Sequence, residues 1–80
     1  MSETFIKKNA QLSTEFDDYL VKHPQLFKDI PNGAYIVITT DDANFNAVSK
    51  SLIKDKRRKK IVEAHLTGST WRVHPLQPVD

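Results

Sequence analysis

The stretch Ala34-Tyr-Ile-Val-Ile-Thr-Thr40 limits this chain more than any other. β-Branched and aromatic residues fill it without alternation, so it reads as a short strand that is apolar on both faces. Such a strand is usually central and covered on both sides, as in a parallel sheet. A parallel neighbour requires a crossover, and the next residues supply one. Thr40, Asp41 or Asp42 can cap a helix whose buried side carries Phe45, Val48, Leu52 and Ile53. Lys60-Ile-Val-Glu-Ala-His-Leu66 then reads as a second strand, so residues 34–66 predict a β-α-β unit with a right-handed crossover.

The chain then turns back. Gly68-Ser69 between two alternating runs suits a two-residue hairpin turn with Gly first. That register sets Thr67 opposite Thr70, Leu66 opposite Trp71 and Ala64 opposite Val73. On the other face it pairs His65 with Arg72 and Glu63 with His74, which separates apolar from polar pairs. Pro75 and Pro78 end regular pairing.

Ahead of the first strand, Phe5, Leu12, Phe16, Tyr19 and Leu20 form one stripe of a 3.6-residue repeat. Two helix starts fit: an early one capped by Ser2, or a later one capped by Ser13 with Glu15, Asp17 and Asp18 in its first turns. Pro24 stops the helix at His23 and opens a docking turn anchored by Leu26, Phe27 and Ile30, before a Pro31-Asn32-Gly33 turn. The fold expected is α/β (α+β), one domain over residues 1–80. An N-terminal helix and short docking helix precede the β-α-β crossover and a C-terminal β-hairpin, with about three strands. The first helices should cover one sheet face and the Phe45–Leu52 helix the other.

Asn9, Leu12-Ser13, Glu15-Phe16, Tyr19-Leu20, His23-Pro24, Ile30-Pro31 and Ala34-Tyr-Ile-Val37 stand at spacings that resemble a family of short prokaryotic proteins of unknown function. The resemblance spans residues 9–42, and the basic run and the hairpin look particular to this chain. It implies a compact cytoplasmic accessory protein and carries over no catalytic residue.

Composition excludes several classes. Among 80 residues there is no Cys, so neither a disulfide nor a thiolate site exists. A chain of this length buries only about 60–65% of its unfolded surface, which makes association a source of stability. The run Ala34–Ile38 is too short to span a bilayer, and MSETFIKKN lacks the apolar core of a signal peptide. The expectation is therefore cytoplasmic residence with no membrane contact. His23, His65 and His74 are too scattered for a metal tetrad, and no cofactor is expected.

Charge is uneven. Residues 1–52 hold five Lys against seven acids, a net −2, whereas residues 53–80 hold seven Lys or Arg against three acids, a net +4. Lys54, Lys56, Arg57, Arg58, Lys59 and Lys60 form one run which, with Arg72 and Trp71, could grip phosphates. Successive helical residues point about 100° apart, so the run reads better as the solvated end of the crossover helix, where cations complement the dipole. Trp71, opposite Leu66, reads as core rather than as a stacking platform. Glu63, His65, Arg72 and His74 share the polar hairpin face and form a second candidate, a carboxylate beside imidazoles suited to acid–base work. Exposed sheet faces also carry such charges for solubility alone, and no nucleophile or glycine-rich loop accompanies them. His23 suits a capping or packed role between helical pieces. Asp41-Asp42, with Asp17 or Asp18, offers carboxylates for Mg²⁺ but reads more simply as capping. The expected function is a non-enzymatic interaction or regulatory module that binds another protein or itself, as a homodimer. The first alternative is a nucleic-acid-binding regulator using Lys54–Lys60, and the last a small hydrolase-like enzyme.

Overall fold

The computed structural model describes residues 3–53 and 60–76. In chain order they form α1 (Glu3–Lys22), a 3-10 helix (Pro24–Asp29), β1 (Tyr35–Thr39), α2 (Ala43–Ser51), β2 (Ile61–Thr67) and β3 (Thr70–Pro75). β1 runs parallel to β2, and β2 pairs antiparallel with β3. The result is the expected α+β architecture around a three-stranded mixed sheet.

The early helix start is the one realised. Phe5, Leu12, Phe16 and Leu20 are all buried, and fraying the first turns would return the Phe5 ring to water at a cost of about 2 kcal/mol. Ser13 therefore lies mid-helix, and Glu15, Asp17 and Asp18 are not capping acids. Ser2 lies outside the described residues. Pro24 opens the 3-10 helix, and Leu26 and Ile30 pack against the core. Phe27, expected as an anchor, is 54% exposed: three residues per turn separate it from Leu26 by about 120°.

Two expectations about layering are corrected. β1 is an edge strand in the order β1-β2-β3, not a central one. The hairpin returns β3 to the far side of β2, so β1 keeps a single neighbour. Both of its faces are nevertheless covered, with Val37 3% and Ile38 4% exposed. Nor do α1 and α2 divide the two faces cleanly. Phe45 and Leu52 join α1 in the cluster over Ile36, Ile38, Ala64, Leu66, Trp71 and Val73. The Phe5 and Phe45 rings lie 5.0 Å apart, and Lys8 stands over Phe45 and bonds Asp42, which ties the start of α2 to α1. Ile53, just past α2, joins Val37 and Ile61 in the opposite cluster. Val48 is 37% exposed and does not belong to the buried side as expected.

The hairpin register is the one the sequence predicts, from Thr67↔Thr70 through Glu63↔His74. Gly68 has φ +62° and no non-Gly residue among those described has positive φ, which fits a turn demanding positive φ only at its first central position. Trp71 is 5% exposed and lies 5.0 Å from Phe16, a core residue as read.

Candidate functional site

Parallel pairing sets Val37 beside Glu63 and Thr39 beside His65, while the hairpin adds His74 and Arg72 on the same face. Period-two alternation thus gathers Thr39, Glu63, His65, Arg72 and His74 on the sheet face opposite Trp71. Glu63, expected on an exposed face, is 8% exposed, and Thr39 is 1% exposed. Burial at this depth requires partners for the carboxylate.

They are present. The Thr39 hydroxyl lies 2.5 Å from Glu63 Oε2 and 2.7 Å from His65 Nδ1. A carboxylate only accepts and a hydroxyl has one proton, so Thr39 donates to Glu63 and receives Nδ1–H of His65. His74 Nε2 donates to Glu63 Oε1 at 3.2 Å. Burial pushes the Glu63 carboxyl up, but the Thr39 hydroxyl, the Lys50 charge and His74 outweigh it, and the pKa ends below its ordinary value. His65 Nε2 faces Asp41 Oδ1 at 4.0 Å. The arrangement can exchange protons at His65 Nε2. It offers no nucleophile, because the Thr39 hydroxyl is buried and committed on both sides.

The other predicted residues that the structure describes are dispersed. Lys54, Lys56, Arg57, Arg58 and Lys59 lie outside the described residues. Lys60 is exposed, and its carbonyl accepts from the Tyr35 N–H where β2 begins. Arg72 sits opposite His65, about 16 Å further along β2. It also faces away from its neighbour Trp71, so Lys60, Arg72 and Trp71 do not form one surface. His23 packs as expected: its ring stacks on Tyr19 at 3.9 Å, and Nδ1 lies 3.0 Å from the Tyr19 carbonyl oxygen in the last turn of α1. Asp42 is the α2 cap, accepting from the N–H groups of Asn44 and Phe45. The Phe45 N–H first, with Lys8 adding to it, lowers its pKa. Asp17 and Asp18 cannot join it around an ion, because Asp42 meets α1 at Lys8, about 15 Å from Asp18 along the helix.

A groove that sequence reasoning missed lies between the second half of α1 and the β2–β3 turn, with a volume of about 330 Å³. Leu66 and Trp71 supply its apolar lining from the sheet, and Gly68 and Ser69 its rim. Glu15, Asp18, Tyr19 and Lys22 form the helix wall. They follow one another at helical spacings of three, one and three along α1, beside its buried stripe. Glu15 and Asp18 are exposed and make no ion pair among the described residues. That spacing was the available signal, hidden because the acids also fit a helix start at Ser13.

A model of a family of unknown function matches residues 4–75. The match reaches well past residues 9–42, so the family's span takes in the segments that hold α2 and the hairpin. No curated protein and no solved structure matches the chain.

Proposed function

The chain belongs to DUF5647, a family of unknown function, and with no relative's activity to carry over we propose that it is a non-enzymatic protein-interaction module that engages its partner through the groove between α1 and the hairpin turn. One contrast carries this reading. The polar sheet face spends its hydroxyl and both Glu63 oxygens on internal hydrogen bonds, whereas the groove leaves Glu15 and Asp18 unpaired among the described residues, beside an aromatic lining. A pocket of this volume stands at the small end of the range for specific sites, ~300–1,000 Å³, and suits one or two protruding side chains rather than a whole helix.

The test is capture from an extract of the source organism with the wild-type chain, with Glu15→Arg/Asp18→Arg and with His65→Asn. A partner retained by wild type and His65→Asn but lost from the groove variant is the expected result. A partner, or a turnover activity, that disappears with His65→Asn and survives in the groove variant would move the function to the polar face.

A further inference from the structure

We propose that the groove receives an arginine side chain of a partner protein, with its guanidinium held by Glu15 and Asp18 and a neighbouring main-chain carbonyl accepting from the Trp71 indole N–H. The inference rests on the groove being a protein-binding site and names what that site reads.

The indole is the first observation. Trp71 is 5% exposed, and a buried indole N–H ordinarily finds an acceptor. Here it has none among the described residues. Nor is it sealed off, because Ser49 Oγ is the only side-chain polar atom among them that is both unpartnered and closed to solvent. Trp71 lines the groove, so the groove is the opening through which this N–H reaches outward. An unpaired donor in so buried a residue calls for an acceptor on the ligand.

The helix wall is the second. Glu15 and Asp18 stand three residues apart, neighbours on one face of α1 and about 4.5 Å apart along its axis. Both are exposed, and neither makes an ion pair among the described residues. Two carboxylates at this spacing match the planar fork of a guanidinium better than the point charge of an ammonium. Leu66 and Trp71 give the groove an apolar floor, along which an aliphatic stem can lie. That favours a side chain over a partner's N-terminal ammonium, which has no stem. Lys22, one turn beyond Asp18 on the same wall, repels a second cation, so the groove suits a single arginine rather than a basic run.

Trp71 is the only Trp, so an isotope-labelled full-length chain gives one indole N–H resonance, a reporter placed in the groove. The probes are acetylated, amidated pentapeptides with alanine around a central arginine, citrulline or lysine, and an unacetylated all-alanine pentapeptide. The arginine peptide should move the indole resonance saturably at millimolar concentration. The citrulline peptide keeps the shape without the charge and should bind at least about tenfold more weakly, with lysine between the two. Glu15→Gln/Asp18→Asn changes two exposed positions, and its amide spectrum verifies the fold. It should weaken the arginine peptide by a similar factor. An indole resonance unmoved by the arginine peptide overturns the proposal. So does equal affinity for arginine and citrulline, for arginine and lysine, or for wild type and the variant. Tighter binding of the unacetylated all-alanine peptide overturns it in favour of a partner's N-terminus. If Glu15→Arg/Asp18→Arg loses its captured partner while the arginine peptide fails, only this inference fails. If that variant keeps every captured partner, the functional reading fails and this inference with it.

Discussion

Thr39→Val tests the account of the polar face most directly. The substitution keeps the branched shape of the side chain and removes one hydroxyl, the group that donates to Glu63 and accepts from His65. His65 is partly exposed, so its Nδ1–H can turn to water; Glu63 is buried and keeps one hydrogen bond, from His74, with His65 Nδ1 3.8 Å from its other oxygen. A hydrogen bond to a charged group contributes about 1.5–3 kcal/mol. At about 4–8 °C per kcal/mol for a domain this small, the melting temperature should fall by roughly 10–20 °C. Thr39→Ser, which keeps the hydroxyl and loses one methyl, should cost only about 1 kcal/mol. The loss also has a pH signature. Glu63 has a folded-state pKa held below its ordinary value. A depressed carboxyl adds stability that is fully present above the unfolded-state value, about 4.3, and is lost as pH falls through the folded-state value. Removing the Thr39 hydroxyl raises the folded-state pKa, so the variant loses this contribution at a higher pH than wild type. The gap between them is therefore widest near neutrality and narrows in acid, once Glu63 is protonated in both. Urea unfolding of the three proteins across that range measures it. A Thr39→Val protein within 0.5 kcal/mol (about the spread of neutral surface changes) of wild type, or a gap that does not change with pH, would refute the network.

Other positions give independent tests. Ser49 is 2% exposed and its hydroxyl has no hydrogen-bond partner among the described residues, so Ser49→Ala should raise stability by about 1 kcal/mol in urea unfolding. Gly68 has φ +62° with open space around its Cα; Gly68→Ala should cost about 1–2 kcal/mol from backbone strain alone, and Gly68→Asn distinctly less. Asp42→Ala should lower the melting temperature and Asp42→Asn should largely restore it. The part due to the depressed Asp42 pKa is present above the ordinary carboxylate value and disappears as pH falls through the folded one. Trp71, the only Trp, should emit in the blue; emission near that of free indole would remove it from the core.

The elements were legible wherever pattern alone decides them. The hairpin register follows from alternation, because a slip by one residue would turn Leu66 and Trp71 outward and Glu63 and Arg72 toward the core. Strand order and layering follow instead from packing between distant segments. Phe5 meets Phe45 across forty positions, which no local window detects, and that contact brings α2 to the α1 side of the sheet. The burial of Glu63 was hidden for a similar reason: its partner Thr39 belongs to β1 and reaches it through the parallel pairing. Glu15 and Asp18 were visible as acids, yet their meaning depended on where α1 begins and on a hairpin turn some fifty residues away.

Among the described strands β2 alone is hydrogen-bonded to a strand on each side, and this gives it a distinct place in the dynamics of the chain. The amides of Val62 and Ala64 point to β1, as the Lys60 carbonyl does, and those of Glu63 and His65 point to β3, as the Ile61 carbonyl does. Each meets solvent only when its neighbouring strand detaches, and detaching either strand strips the cover from Ala64, which is 0% exposed, and from the apolar side chains packed around it. Such an opening leaves too little buried surface to persist as a partly folded form. Protons at these amides therefore exchange through global unfolding, while those of the first turn of α1 and of the β2–β3 turn exchange through local fraying. Exchange rates at the centre of β2 thus read the free energy of the whole domain without denaturant, and every substitution described above should move them by its full stability change.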